Sequence, residues 1–411
     1  MLPLNLVIEQ LWRPALEGGD LRVVVDPDPD PGWVEEEAYW MFPTAARATL
    51  LLPHGPRAVT AASATNYRGL RRPPKNAGRT TLGALARAGL PLSANRLSVQ
   101  VRADRPEARE RLPLPQLARA LGVERLYAAT GVRVGANRKA TLHLLSVTGE
   151  PLGYAKFAWN DVTDEFVRTE SAALRAVGGR KGAMRAPALL AAVDYHGHPV
   201  AVTEPLPMDV TGARSKRTAP PTPEEMFALC PVHRHAALGD SGHLRHLVDR
   251  LRAMATEPLV STVVEAGLEL ADAVSHLPGE VAMTERWHGD LTPWNRARQR
   301  DGQLWVWDWE SSEADAVAGL DALHWAFSVR RPTSGQNTSV ELADCLVDAG
   351  IHLRAAGVPR ARWGDVAAVY ALTVIERAAA LAVRSESWDR LWIGARDLEE
   401  LARQARSGLT G

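Results

Sequence analysis

The chain is poor in cysteine, with two in 411 residues. Cys230 and Cys345 stand far apart and can build neither a disulfide framework nor a four-cysteine zinc site. That points to a reducing compartment, and the expected localisation is cytoplasmic. An excess of charge of either sign is also missing, since 48 basic and 48 acidic side chains leave a net charge of zero; no nucleic acid is expected as a partner. Long hydrophobic runs are scarce. The apolar N-terminus from Met1 to Ile8 is cut off by Glu9, and the rest reads as free of an 18-residue apolar stretch, so neither a signal peptide nor a membrane span is predicted. There is no internal repeat and no low-complexity tail.

What the chain does have is 46% apolar residues over the length of two to three ordinary domains, enough for a sizeable core. Its charge is unevenly divided. Residues 201–411 carry 22 basic and 29 acidic side chains, a net −7, and residues 1–200 the matching +7. Such asymmetry fits an anion-binding half and a cation-binding half, or an ordinary drift of surface charge.

Residues 1–112 read as a small α/β extension, with a strand at Leu21 to Val25, a turn-rich stretch around Asp26 to Gly32 and an apolar run at Ala48 to Pro53. Its segment Asn66 to Arg79 reads as a loop holding Arg68, Arg71, Arg72, Lys75 and Arg79 with no acid. It is either a solvated loop or a patch for phosphate or another anionic group.

Residues 113–204 read as a β-rich lobe. A helix from Leu114 to Leu121 is followed by strands near Leu126, at Ala140 to Val147 and at Leu152 to Ala158. A helix from Asp164 to Val177 comes next, then strands at Ala188 to Tyr195 and Val200 to Thr203. Residues 205–411 read as mostly helical, beginning with an N-cap at Thr222-Pro223. Trp287 to Glu310 is the one stretch there with strand-loop-strand character.

That stretch carries the chemistry. His288-Gly-Asp290-Leu-Thr-Pro-Trp-Asn295 is followed by Leu304-Trp-Val-Trp-Asp308-Trp-Glu310. Asn295 and Asp308 offer hard oxygen ligands five and eighteen residues after Asp290, which suits Mg²⁺ beside a substrate phosphate and leaves Asp290 to face a hydroxyl. Upstream, Lys156 sits mid-strand, where a charge is costly unless paired, and Glu170 follows on the next helix. An ion pair between them is expected.

These residues resemble the aminoglycoside phosphotransferase and choline kinase superfamily, small-molecule kinases with a protein-kinase-like fold. The catalytic loop of that superfamily reads H-G-D-x-x-x-x-N and its metal strand D-x-E or similar. The likeness covers roughly Leu114 to the C-terminus. It implies an α+β, bilobal fold with an antiparallel β-rich N-lobe and a mostly helical C-lobe, here preceded by the α/β domain. It also implies that ATP and Mg²⁺ are the cofactors. By the resemblance, Asp290 orients the acceptor hydroxyl as catalytic base, Asn295 and Asp308 hold the metal, and Glu310 takes the second acidic position. Lys156 reaches the nucleotide phosphates while Glu170 holds it. His288 braces the loop. Asp321 either buttresses that loop from the next helix or is a plain N-cap. The turn Gly131-Val-Arg-Val-Gly135-Ala-Asn-Arg138-Lys139 either covers the phosphates or is an ordinary hairpin turn. Glu204 and Leu206 fall where the lobes should join and are candidates for the adenine edge, Pro205 being unable to donate.

About ten residues separate Asp308 from the next helical pattern at Gly319, which leaves no room for the long activation segment of protein kinases. A small-molecule hydroxyl acceptor is therefore expected. Acids in 205–411 are scattered rather than clustered as a polycation would ask, and the alternating Trp305, Trp307 and Trp309 look more like strand packing than an aromatic cage. A sugar or sugar-like compound is the leading expectation. The alternatives are a kinase for Ser or Thr of a natural-product precursor peptide, and a catalytically silent nucleotide-binding scaffold.

Overall fold

In this computed structural model the described residues are 3–71, 73–132, 138–213, 215, 218–331, 340–389 and 391–410. Gly135, in the expected phosphate turn, lies outside them, as does Arg72. The chain forms two compact units, Met1–Gly179 with Ala186–Gly212 and Ala297–Trp305, and Arg180–Arg185 with Ala213–Arg296 and Val306–Gly411. The α+β class expected from the sequence is what the structure shows.

The first unit is built on nine strands: β1 (Leu21–Val25), β2 (Trp33–Phe42), β3 (Leu50–Pro53), β4 (Arg96–Arg102), β5 (Tyr127–Gly131), β6 (Ala140–Leu145), β7 (Pro151–Phe157), β8 (Leu189–Tyr195) and β9 (His198–Thr203). They form one antiparallel sheet in the order β1-β4-β2-β3-β5-β6-β7-β9-β8. Strands from residues 1–112 and from 113–204 meet where Leu50 pairs with Gly131 and Leu51 with Thr130. The two segments thus share a sheet and a core.

Period-2 alternation sorts the side chains of this sheet. Leu51, Ala128, Leu142, Leu144, Ala155, Phe157, Val200 and Val202 face one core, with Leu11 and Trp12 from the N-terminal segment. Leu50, Leu52 and Ala129 face the other, against Ala61, Ala64 and Ala86 of the helices Arg57–Thr65 and Pro73–Ala88. The second helix begins at Pro73, so Lys75 and Arg79 are helical rather than on a loop. Pro-Pro suits a first helical turn, which needs no N–H donor there.

The helix Asp161–Val177 starts earlier than its apolar spacing predicts because Asn160 caps it. Its side-chain oxygen accepts from the Thr163 N–H at 2.9 Å, and its own N–H donates to the Thr163 hydroxyl at 3.1 Å. Val167 of this helix packs with Ala158 and Ala201 of the sheet, and Glu170 lies on the same buried face.

The second unit holds the helices Gly242–Ala253, Ser261–Ser275, Leu320–Arg330, Leu342–Ala355, Trp363–Ser385 and Ala395–Ser407. It also holds a three-stranded antiparallel sheet of Val232–Ala236, Val281–Trp287 and Glu313–Val317. The sequence reading missed this sheet outside Trp287 to Glu310, because Val232-His-Arg-His-Ala236 carries three polar residues in a row, without strand alternation, and gains its ladder only from Val281 to Thr284, far along the chain. At Thr222 the expected cap is a reciprocal capping box with Glu225. One stretch, Arg360–Ser385, is long and apolar enough to cross a membrane by composition, with mean hydropathy 1.8, contrary to the expectation of no such run. Its most apolar window is 78% buried inside the protein, which is how a central core helix also reads. Cys230 and Cys345 are both free and buried.

Candidate active site

In the first unit, β7 alternates so that Ala155 and Phe157 enter the core while Tyr154 and Lys156 face the other way. The Lys156 ammonium donates to both carboxylate oxygens of Glu170, at 2.6 and 2.7 Å. Both side chains are largely withdrawn from water, 13% and 2% exposed. Burial this deep costs each charge its hydration, and the short, two-point contact offsets it. Removing Glu170 would cost Lys156 both of these bonds.

Just before β6 the chain is tied back at Arg138. The Arg138 carbonyl accepts from the Gln10 amide at 2.8 Å and from the Trp159 indole at 3.0 Å, and the Lys139 ammonium lies 5.1 Å from the centre of the Phe166 ring. Gly131 ends β5 with open space where a side chain would be. After β9, the Glu204 N–H donates to the Ala188 carbonyl at 2.9 Å and Leu206 is buried.

In the second unit, the strand Val281–Trp287 delivers the loop His288–Asn295. Asp321, in the first turn of the helix Leu320–Arg330, accepts from the His288 N–H at 2.8 Å and from the Gly289 N–H at 3.0 Å. That helix is entered through Gly319 with no side-chain cap, so the Asp321 carboxylate serves the loop rather than its own helix. His288 is fully buried, and burial lowers its pKa against the pull of Asp321 and Asp290. Its Nδ1 accepts from the Asp290 N–H at 3.1 Å, which leaves Nε2–H to donate to the Trp307 carbonyl at 3.1 Å. One neutral tautomer therefore ties both ends of the segment together.

Gly289 is required by position. Its φ is +83°, and a Cβ would sit 2.0 Å from the Ser311 carbonyl oxygen. Arg377, on the helix Trp363–Ser385, donates to the Gly289 carbonyl at 2.5 Å and to the Ser311 carbonyl at 3.2 Å, fastening the same crossing from behind.

Asn295 is 5% exposed and donates its amide hydrogens to the backbone and carboxylate oxygens of Asp290, at 3.0 and 2.8 Å. Its NH₂ so committed, its side-chain carbonyl is the atom it can offer a cation. The Trp307 N–H donates to the Asn295 carbonyl at 3.1 Å, bringing Asp308 to the same corner. Asp308 has φ +74°, an unusual backbone for a residue with a Cβ, of the kind kept at functional sites. A carboxylate oxygen of Asp308 and one of Glu310 lie within 4.8 Å of each other.

Sequence reasoning missed two members of this group besides Arg377. His324 Nε2 lies 3.1 Å from the other Asp290 carboxylate oxygen, and its Nδ1 lies 3.1 Å from the Tyr370 hydroxyl. Burial pushes the Tyr370 pKa well above its ordinary value, so that phenol stays protonated. The signal was available, because His324 follows Asp321 by three residues and helical spacing puts both on one face.

No family profile matches the chain and no curated protein does. Among solved structures, it is similar to choline kinase LicA from Streptococcus pneumoniae, at 11% identity, over 71% of this chain and 97% of that one, with a TM-score of 0.42. It is also similar to a choline/ethanolamine kinase family protein from Mesorhizobium loti, at 16% identity over 74% and 93%, TM-score 0.40. A third is the amicoumacin kinase hAmiN in complex with AMP-PNP, Ca²⁺ and Ami, at 11% identity over 74% and 95%, TM-score 0.41.

Proposed function

We propose that the chain is an ATP-dependent phosphotransferase that moves the γ-phosphoryl group to a hydroxyl of a small molecule. The observation that carries this is the loop His288–Asn295, where Asp290 is fixed between Asn295 and His324 while Asp321 pins the backbone before it. A carboxylate so oriented suits one task, accepting the proton of a hydroxyl as its oxygen attacks phosphorus. The hydroxyl oxygen gains the phosphoryl group, the bond to the β-phosphate oxygen breaks, ADP leaves and Asp290 carries the proton away. The donor set of Asn295 and Asp308 is all oxygen and fits a hard divalent cation such as Mg²⁺, which would neutralise nucleotide phosphates. Lys156, kept in place by Glu170, would supply the fixed positive charge for those phosphates.

Only a short stretch, containing the strand Glu313–Val317, separates Asp308 from the helix at Leu320. That is too little chain to grip a folded protein and supports a small acceptor. A neutral polyol such as a sugar is the acceptor class we propose, since the acids of this half are scattered. The test is an ATP-consumption screen over hydroxyl compounds with the wild type and Asp290→Asn. Loss of the acceptor-dependent rate by roughly a hundredfold or more in Asp290→Asn is expected for a general base. An unchanged rate removes Asp290 from the chemistry.

A further inference from the structure

The basic segment Asn66 to Arg79 plays no part in the chemistry above, yet its side chains are not placed as a solvated loop would place them. Lys75 is exposed, whereas Arg71 and Arg79 are half-buried. Burial lowers the pKa of both guanidinium groups, that of Arg79 to about 10 with Arg71 adding to the effect, so both remain charged at neutral pH. Among the described residues neither meets a carboxylate. Arg71 reaches the Ala64 carbonyl at 3.5 Å, and the charged group nearest Arg79 in effect is Arg71 itself.

Three rings cluster where Tyr67 of this segment meets the sheet. Tyr67, His143 and Tyr154 have centroids 5.3 Å apart for Tyr67 and His143, 5.7 Å for Tyr67 and Tyr154, and 5.0 Å for the stacked His143 and Tyr154. His143 is 9% exposed; burial first, then Arg71 and Arg79, lowers its pKa to about 4, and its Nε2 has no hydrogen-bond partner. The side-chain nitrogen of Asn66, 7% exposed, has none either. Arg71 and Arg79 thus both act on the buried His143 while, among the described residues, neither meets a carboxylate, a costly arrangement that one anionic group would relieve. An oxyanion can accept from two guanidinium forks, and the unpartnered Asn66 amide is a further donor on the same segment.

The position is informative as well. His143 pairs directly with Tyr154, and Thr141 with Lys156, across β6 and β7. Tyr154 and Lys156 project from the same face of β7, about 7 Å apart along the strand. We infer that Arg71 and Arg79, with Asn66 and His143, form a binding site for a phosphate group on the same face of the sheet as Lys156, contributed by the N-terminal segment. The phosphate is either the nucleotide's own or that of a separate phosphorylated molecule.

Calorimetric titration of the full chain with inorganic pyrophosphate, and separately with ATP, both without metal, tests this. Pyrophosphate should bind the wild type and Lys75→Gln equally, and the double variant Arg71→Gln/Arg79→Gln at least about tenfold more weakly. An equal loss for ATP assigns the phosphate to the nucleotide, and retained ATP binding assigns it to a separate molecule. Phenylglyoxal footprinting of the wild type needs no variant. Pyrophosphate should slow modification of Arg71 and Arg79 several-fold and leave the exposed Arg87 of the same helix unchanged. No pyrophosphate binding by the wild type, or undiminished binding by the double variant with both arginines unprotected, overturns the site. Neither readout uses Asp290, Asp308 or a metal, so its failure leaves the phosphotransferase proposal untouched, and the reverse.

Discussion

Asp290 is held on both carboxylate oxygens, one by Asn295 and one by His324. Two-sided restraint fixes the direction of the remaining lone pairs, and orientation of this kind is worth one to a few powers of ten in rate. His324 is a positioning residue for Asp290, itself set by the Tyr370 hydroxyl. His324→Ala should lower kcat by about ten- to a hundredfold while the KM for ATP stays put, and His324→Asn should recover part of the loss. Steady-state kinetics on the three proteins decide this, and an unchanged kcat in His324→Ala removes the role. Gly289 is a second single-residue dependency. Gly289→Ala combines a strained backbone with a collision against the Ser311 carbonyl. It should cost on the order of 3 kcal/mol in a urea melt, and a loss below about 1 kcal/mol would show that the loop adapts.

At the level of elements, the N-terminal segment and β2 are joined by a buried acid. The Glu37 carboxylate accepts from the Trp12 indole at 3.2 Å and from the Tyr39 hydroxyl at 2.8 Å. Burial raises its pKa from 4.5 to about 7, against the lowering effect of those two hydrogen bonds. Folding therefore favours the protonated acid. The associated stability is fully present below about pH 4.5 and is lost as pH rises through about 7, in total about 3 kcal/mol. Glu37→Gln should flatten the stability profile between pH 4.5 and 7, and a profile identical to that of the wild type would contradict the assignment.

The same element shows what a sequence can and cannot disclose. β1 was legible because its β-branched run is bounded by turn residues, and the helix Asp161–Val177 because its apolar face repeats. Glu37 was not, since an acid among Glu35, Glu36 and Glu37 looks solvated until the irregular register between Glu35 and Glu37 in the pairing with β4 is known. The helix at Pro73 was hidden by glycine and proline, and the small sheet of the second unit by pairings between residues distant in sequence.

At the scale of the whole molecule, the chain separates its parts between two units. The first carries the Lys156–Glu170 pair and the arginine site, and the second the loop with Asp290, Asn295 and Asp308. The motif residues were legible because dense polar groups at fixed spacing in a short loop are rare by chance, whereas His324, Tyr370 and Arg377 reach that loop from helices and needed the fold to be seen. The one continuous sheet of the first unit was also out of reach, since no local pattern announces that Leu50 will pair with Gly131. The measurement that bears most directly on the proposed function is calorimetric titration of ATP with and without Mg²⁺ into the wild type and Asp308→Ala. The proposal predicts Mg²⁺-enhanced binding in the wild type that Asp308→Ala loses while remaining folded. Absence of ATP binding under every metal condition, or Mg²⁺-enhanced binding undiminished in Asp308→Ala, would contradict it.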